Sequence, residues 1–250
     1  MAADELGPLR REVALGCRIL AAAGATTPIL GHLSVRVDSE HVLVRCRGPH
    51  ERGLLFTEAS DVRLVTLDDL GDVGDGYTLP NEYPLHAEIL RARPEVGSVV
   101  HAHPRSVVVA DLAGAELRPV FGAFDIPAYR LAAEGIPVHP RRGLVRTAAA
   151  GREVAATLGE APVCLLRGHG VAAVGESVVS AVVRTLAVDE LARMTVEIAA
   201  LGGRPDVVPE EDRVDLPDLG SGFNEQAVWR YRLGLLERDG LADVDPPTKE

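Results

Sequence analysis

The feature that most constrains the fold of this chain is a short apolar stretch, 98–104, which carries two histidines at alternate positions. Side chains in a strand alternate between faces and rise about 3.3 Å per residue, so His101 and His103 stand on one face roughly 6.6 Å apart. Two imidazoles in that arrangement can bind one cation, because histidine is the commonest metal ligand among side chains. The pattern predicts a buried strand that delivers metal ligands to the edge of a site.

A third histidine, His169, stands between Gly168 and Gly170 at the end of the apolar run 163–166. The flanking glycines let backbone and ligand approach closely. Three neutral imidazoles would leave a divalent metal its full charge and an open position for a substrate, which is the pattern of a catalytic site. Taken alone, the motif leaves open the alternative that His169 only fills a turn.

Length and charge narrow the class of protein. We predict a single domain over 1–250, in which 204–250 forms a connector, a last helix and a charged tail. The net charge of −11 provides no long basic surface, so no nucleic-acid partner is expected. No window reaches the roughly 18 apolar residues of a membrane span, and the first residues are acidic where a signal peptide is basic. We therefore expect no membrane partner and a cytoplasmic location.

The three cysteines, Cys17, Cys46 and Cys164, lie among apolar or strand-like neighbours and show no CxxC spacing. We predict that they are buried free thiols. A closed structural metal site usually recruits cysteine, and none of the three lies in the histidine motifs. This favours a catalytic over a structural metal site.

The spacing of apolar residues predicts an α/β chain with a helix on each side of the central strand. Asn81 is the predicted N-cap of the helix that precedes that strand. Predicted helices occupy 5–23, 81–93, 104–113, 148–158, 177–202 and 226–238. Predicted strands occupy 31–37, 41–47, 54–57, 62–67, 98–103, 118–121, 136–138, 163–166 and 171–175. The segment 204–219 is predicted to be an irregular connector.

Four segments, taken together and in order, resemble the class II aldolase/adducin family over roughly residues 8 to 200. They are Glu82 with Pro-Leu-His at 84–86, Arg-Pro-Glu-Val at 93–96, the strand and proline at 99–104, and Leu-Leu-Arg-Gly-His-Gly at 165–170. The resemblance implies a three-layer α/β/α fold around a mostly antiparallel central sheet. It also implies a homotetramer with sites between neighbouring subunits.

The same resemblance implies roles for particular residues. His101, His103 and His169 correspond to the metal ligands, and Glu82 to the acidic residue that donates or accepts a proton. Tyr231, on the C-terminal helix, is expected to reach a neighbouring subunit's site. A divalent metal is implied, with zinc expected first and manganese, cobalt or iron left open because imidazoles suit them all.

A metal that binds a substrate carbonyl and an adjacent hydroxyl would draw electron density from the carbon that becomes a carbanion, giving an enediolate-type intermediate. Retro-aldol cleavage, decarboxylation and epimerisation through cleavage can all use such a centre. The chain is therefore expected to be a metal-dependent carbon–carbon lyase. Glu82, in the first turn of a predicted helix, is placed to exchange a proton.

The sequence departs from the sugar-phosphate aldolases in the segments that cradle phosphate. Small neutral donors are mostly missing from 31–34, 56–60 and 79–82, and Glu58 is expected to repel a dianion. Arginines stand nearby instead, and their guanidinium groups suit planar carboxylates. The predicted contacts to a small-molecule carboxylate substrate are His32, Ser34, Arg45, Arg47, Arg52 and His86.

This combination resembles the branch of the family that acts on non-phosphorylated substrates, such as dihydroxyphthalate decarboxylases. The preferred interpretation is a decarboxylase of a hydroxylated aromatic or keto acid. The alternatives are an aldolase that cleaves a hydroxy-keto substrate and a non-catalytic, adducin-like interaction domain. For the arginines, pairing with Glu40, Glu51 or Asp61 on a solvated surface is an equal alternative.

Overall fold

The computed structural model describes residues 6–69, 71–216 and 220–245, which form eight helices and seven strands. The helices are α1 (Gly7–Ala22), α2 (Tyr83–Ala92), α3 (Arg105–Leu112), α4 (Ile126–Ala133), α5 (Ala148–Leu158), α6 (Val178–Ala200), α7 (Glu210–Arg213) and α8 (Gly220–Arg238). The strands are β1 (His32–Arg36), β2 (His41–Arg45), β3 (Val62–Thr66), β4 (Ser98–Ala102), β5 (Val138–His139), β6 (Val163–Leu166) and β7 (Gly170–Gly175).

All seven strands join one sheet in the order β3-β2-β1-β4-β7-β6-β5. The pairs are antiparallel except β5 with β6, which is parallel, so the sheet is mixed. The strand predicted to carry both histidines is β4, which includes His101 and ends one residue before His103. It lies at the centre of the sheet and is buried along its whole length. Residues of β1 and β7 therefore flank His101 directly.

Helices cover both faces of the sheet. Successive residues of its strands point to opposite sides, and apolar residues on each side pack against helices. Val100 of β4 belongs to the apolar cluster that includes residues of α1, α3 and α6. Its neighbour Val99 belongs to a second cluster, which includes residues of α2 and α5. The expected three-layer α/β/α architecture is confirmed, with its apolar core divided between the two sides of the sheet.

Most of the helices and strands predicted around the central strand are present, but two of the predicted strands are not formed. The segment 54–57 forms a single 3-10 turn, Leu54–Phe56, instead of a strand. It follows Gly53, whose φ of 86° and close approach to the Pro28 carbonyl belong to a tight turn. The segment 118–121 forms no strand either. Its Pro119 lacks an N–H, and the Pro119 carbonyl accepts a hydrogen bond from Val208 of a loop.

Helix boundaries also differ from the prediction. Helix α4 was not predicted, although Asp125 caps it by accepting a hydrogen bond from the Ala128 N–H. Helix α8 begins at Gly220, six residues before the predicted start. Helix α2 begins after Glu82, which occupies the N-cap position predicted for Asn81. Glu82 therefore lies at the helix end that faces the metal-binding motifs.

Two further predictions concern burial and the membrane. All three cysteines are free and buried, as predicted. Among the helices in the described part of the chain, none has the length and apolar character that crossing a membrane requires.

Candidate metal centre and active site

Four side chains that could bind a metal converge at one end of the central strand. Glu82, His101, His103 and His169 each offer a ligand atom, and these atoms all lie within 4.8 Å of one another. The Nε2 atoms of His101 and His103 are 2.8 Å apart. Glu82 Oε2 lies 3.3 Å from His101 Nε2 and 3.4 Å from His169 Nε2. The structure thus brings together the three predicted metal ligands and the predicted proton carrier.

The sheet topology explains why residues far apart in sequence meet here. His103 follows the end of β4, and His169 lies in the turn between β6 and β7. Because β7 pairs with β4, with Ala102 opposite Val171, this turn lies beside His103. A Cβ at Gly170 would lie 2.3 Å from the Ala102 carbonyl oxygen and 2.8 Å from the His103 ring. The glycine after His169 therefore allows the close approach of the two ligands.

Glu82 is held as a carboxylate within this cluster. Burial favours its neutral form, but the His101 and His169 rings beside Oε2 and a hydrogen bond from the Val145 N–H outweigh burial and lower the pKa of Glu82. The Val145 N–H donates to Oε1 over 2.8 Å. Oε2 is thereby the oxygen that faces the histidines.

The donor set fits a divalent transition metal. His101 Nδ1 donates to the Val171 carbonyl over 3.0 Å, which fixes the tautomer and leaves the Nε2 lone pair facing the cluster. Burial and the charges of His101 and His169 lower the pKa of His103 to about 3, so its ring is neutral and able to act as a ligand. Among the described residues, the buried Nδ1 of His169 has no hydrogen-bond partner. Neutral imidazoles beside one carboxylate suit zinc, manganese, cobalt or iron.

A chain of hydrogen bonds runs from His32, whose ring lies beside that of His101, into the protein interior. His32 lies opposite His101 in the β1–β4 register, and its Nδ1 is 2.7 Å from His86 Nε2. His86 Nδ1 is in turn 2.7 Å from Ser34 Oγ. His32 lines the neighbouring pocket, whereas His86 and Ser34 lie behind it. His86 and Ser34 were predicted to contact the substrate, but they can act on it only through His32.

The buried position of His86 predicts how stability depends on pH. Burial, with a smaller effect from the charge of His101, lowers the pKa of His86 from 6.5 to about 3. Between these values the unfolded state binds a proton that the folded state does not. As the pH is lowered below 6.5, the free energy of unfolding should therefore decrease, by up to roughly 1 kcal/mol per pH unit from this residue.

Urea unfolding of the chelated protein between pH 4.5 and 7.5 measures this slope. We expect His86→Gln to have a shallower slope than the wild type, since glutamine does not titrate. An identical slope in the two proteins would show that His86 is not the titrating group.

The cluster opens into a pocket of about 700 Å³. Three of the four cluster residues line it, together with apolar side chains and two arginines. The lining residues are Thr27, Leu30, Gly31, His32, Arg47, Pro80, Asn81, Glu82, His103, Arg105, Val108, Val109, Leu112, Leu144, Gly168 and His169. The pocket can therefore hold a small molecule with an apolar body and anionic groups beside a metal.

One wall of the pocket is a face of α3, a role that was not predicted from the sequence. Arg105, Val108, Val109 and Leu112 follow the i, i+3, i+4, i+7 spacing of a single helix face. The opposite face, which includes Val107 and Ala110, is buried in the core. The position of this face directly after the His-x-His strand was the available signal.

The three predicted arginines do not share one location. Arg47 lines the pocket, and among the described residues its side chain has no ion pair. Arg45 is buried and pairs with Glu51, while Arg52 pairs with Glu58 over 3.0 Å. Arg45 and Arg52 line a separate cavity of about 250 Å³. Arg45 thus has one of the acidic partners named in the alternative, although it is buried and not on a solvated surface, and Arg52 pairs with an acid that the alternative did not name. Of the three arginines, only Arg47 lines the pocket beside the histidines.

Glu58 also lies away from the expected position, because it lines the smaller cavity instead of the pocket beside the histidines. It therefore cannot be the group that repels a phosphate there.

Tyr231 is 63% exposed on α8 and lines another cavity with Asp189 and Arg193. The structure does not bring it to the cluster of its own chain, and its role in a neighbour's site stays a prediction.

Comparison with known proteins identifies the family of this chain. A family model described as Class II Aldolase and Adducin N-terminal domain matches residues 11–196. A 3,4-dihydroxyphthalate decarboxylase of Terrabacter sp. (strain DBF63) is 53% identical over 232 residues, which cover 91% of this chain and 96% of the relative. A protein of the same name from Arthrobacter keyseri is 51% identical over 231 residues, which cover 91% and 93%.

A solved structure of similar fold is that of an aldolase II superfamily protein from Pseudomonas syringae. It matches with a TM-score of 0.80 and 23% identity over 98% of both chains. This likeness concerns the fold, whereas the family match and the two decarboxylases concern the sequence. The chain belongs to the class II aldolase and adducin family.

Proposed function

We propose that this chain is a metal-dependent decarboxylase of a hydroxylated aromatic acid of the dihydroxyphthalate class. Its family and its relatives make it a lyase. The observation that carries the finer proposal is one pocket that combines the histidine–glutamate cluster, apolar walls and two arginines. A catechol-type ring with carboxylates has the complementary groups.

His101, His103 and His169 would hold the divalent cation, with Glu82 beside it. Zinc is the metal we expect first, and manganese, cobalt and iron are the other candidates. When bound, the cation supplies electrophilic stabilisation for the negative charge that develops on the substrate's oxygens.

The pocket walls orient the ring and exclude water. Leu30, Val108 and Leu144 offer apolar surface to the ring, and Arg47 offers a guanidinium group to a carboxylate. Water exclusion favours the step in which a carboxylate loses its charge and leaves as neutral CO2. The half-buried position of Arg47 places its charge at the edge of this apolar region.

Glu82 moves the proton. Its Oε2 takes the proton of the hydroxyl next to the departing carboxylate, which raises the electron density of the ring. The ring–carboxylate bond then breaks, CO2 leaves, and the electron pair stays on the ring carbon. Glu82 delivers its proton to that carbon, and the phenolate regains a proton from water. His32, held by His86, orients the substrate beside Glu82.

The test of this function uses protein that has been chelated and then reloaded with zinc, manganese, cobalt or iron(II). We expect the reloaded protein to release CO2 from 3,4-dihydroxyphthalate and to form a dihydroxybenzoate, whereas the chelated protein does neither. Release of an aldehyde from a hydroxy-keto substrate without CO2 would support the aldolase alternative. Absence of both reactions would favour the non-catalytic, adducin-like alternative.

The variant Arg47→Ala tests the proposed carboxylate contact. We expect KM for carboxylated substrates to rise about 30-fold, since a hydrogen bond to a charged group contributes about 2 kcal/mol. The metal content should not change, because Arg47 is not part of the ligand cluster. Steady-state kinetics beside Arg204→Ala, which removes an exposed arginine outside the pocket lining, gives the comparison. An unchanged KM in Arg47→Ala would remove Arg47 from the substrate contacts.

Family membership also supports a proposal on assembly. We propose a cytoplasmic homotetramer in which the exposed Tyr231 of one subunit reaches the site of its neighbour. The exposure of this tyrosine within a single chain is compatible with that role.

A further inference from the structure

Arg105 is a cation that lines the pocket beside the histidines. It is the first residue of α3 and follows His103 by two positions. Its side chain is exposed and lines the pocket, and it has no ion pair among the described residues. Other arginines of the chain do pair, as Arg93 does with Glu95 and Arg193 with Asp189.

The stability of α3 does not explain an arginine at this position. The N-terminal end of a helix carries the positive end of the helix dipole, so a cation in the first turn is unfavourable. The rest of the pocket-facing side of α3 is apolar, with Val108, Val109 and Leu112 in sequence after Arg105. The helix thus presents an apolar wall with one charge at the end nearest the histidines.

The charges of the pocket indicate how many anionic groups a ligand should carry. Besides histidines, the ionisable side chains among the described lining residues are Arg47, Arg105 and Glu82, which sum to one positive charge. A divalent cation on the histidines brings the sum to three. An aromatic acid with two carboxylates and one ionised hydroxyl carries three negative charges. The same acid with one carboxylate leaves a positive charge without a partner.

The two arginines differ in their surroundings, which assigns them different carboxylates. The departing carboxylate becomes neutral CO2, so surroundings that exclude water favour its departure. The carboxylate that remains on the product keeps its charge throughout, so it favours surroundings that stay hydrated. Arg105 is exposed and Arg47 is half-buried, so the retained carboxylate fits the solvent-facing Arg105 and the departing one fits the more apolar surroundings of Arg47.

We propose that Arg105 binds the carboxylate that the product retains and sets a preference for aromatic 1,2-dicarboxylates over monocarboxylates. The substrate part of this proposal rests on the proposed decarboxylase function.

Two substrates that differ by one carboxylate test the proposal. In 3,4-dihydroxyphthalate the carboxylate next to a hydroxyl departs and the other remains, whereas 2,3-dihydroxybenzoate lacks the retained one. For Arg105→Gln we expect kcat/KM to fall about 30-fold on the dicarboxylate and to be unchanged on the monocarboxylate. Arg105→Lys should recover part of the loss, because lysine keeps the charge without the planar fork. Arg204→Gln, which removes an exposed arginine outside the pocket lining, should match the wild type on both.

Binding of a non-reacting acid gives a readout that does not depend on turnover. By calorimetry with the metal-loaded protein, Arg105→Gln should bind phthalate about 30-fold more weakly than the wild type and benzoate equally well. The Tm should not fall, because the helix loses an unfavourable charge. Equal losses on both substrates, or unchanged phthalate affinity, would overturn the proposal for Arg105. Absence of CO2 release by the wild type would instead contradict the decarboxylase function, and the phthalate result would still decide the role of Arg105.

Discussion

Replacing Glu82 by glutamine is expected to lower kcat for CO2 release by about a thousandfold, since general acid–base catalysis contributes about 10²–10⁴. Glutamine has the shape of glutamate, and its amide oxygen can still accept the Val145 N–H bond that holds Oε1. It cannot take up a proton from the substrate and return it to carbon. The protein should therefore fold and retain its metal while it loses turnover.

Three measurements on Glu82→Gln separate these effects. Single-turnover kinetics gives the rate of the chemical step, elemental analysis gives the metal content, and urea unfolding gives the stability. Glu153→Gln, which removes an exposed carboxylate of α5 paired with Arg141, is the matched control and should behave as the wild type. Loss of metal together with activity would show that Glu82 acts mainly as a ligand, and near-normal turnover would exclude it as the proton carrier.

Replacing His169 by alanine is expected to weaken metal binding by more than about 100-fold, since loss of a group that merely supports a ligand already costs 10–100-fold. CO2 release at micromolar metal should disappear with it. The fold should survive, because His169 lies in a turn and its Nδ1 has no hydrogen-bond partner among the described residues.

Calorimetric titration of the chelated protein with zinc measures the affinity lost in His169→Ala. The control is His41→Ala, which removes a partly exposed histidine on β2 that pairs with Asp38. Its metal affinity should equal that of the wild type. If His169→Ala also retained wild-type affinity, the ion would not be bound by the three histidines.

The parts of the site that follow from local patterns could be predicted from the sequence. The alternation of the stretch 98–103 predicted that His101 and His103 lie on one side, and the glycines around His169 indicated a close approach. Gly170 has that role, since any side chain there would collide with Ala102 and His103. That the turn and the strand meet follows from β7 pairing with β4, which the local pattern does not contain. The family resemblance supplied only the expectation that His169 is a ligand together with the other two histidines.

The substrate contacts depended on geometry that the sequence does not specify. The predicted strand over 41–47 would place Arg45 and Arg47 on one face, because they are two residues apart. Strand β2 ends at Arg45, however, and Arg47 pairs with Thr78 in a separate bridge. The two side chains therefore enter different cavities. The role of α3 was missed for a similar reason, because its apolar pocket face has the same pattern as a face packed in the core.

Crystals of metal-reloaded protein, measured at the absorption edge of the metal, show whether the three histidines hold the ion. We expect one anomalous peak per chain, bounded by the Nε2 atoms of His101, His103 and His169, with Glu82 beside it. A fully reloaded crystal without a peak among these four side chains, or with the three rings turned away from one another, would contradict it.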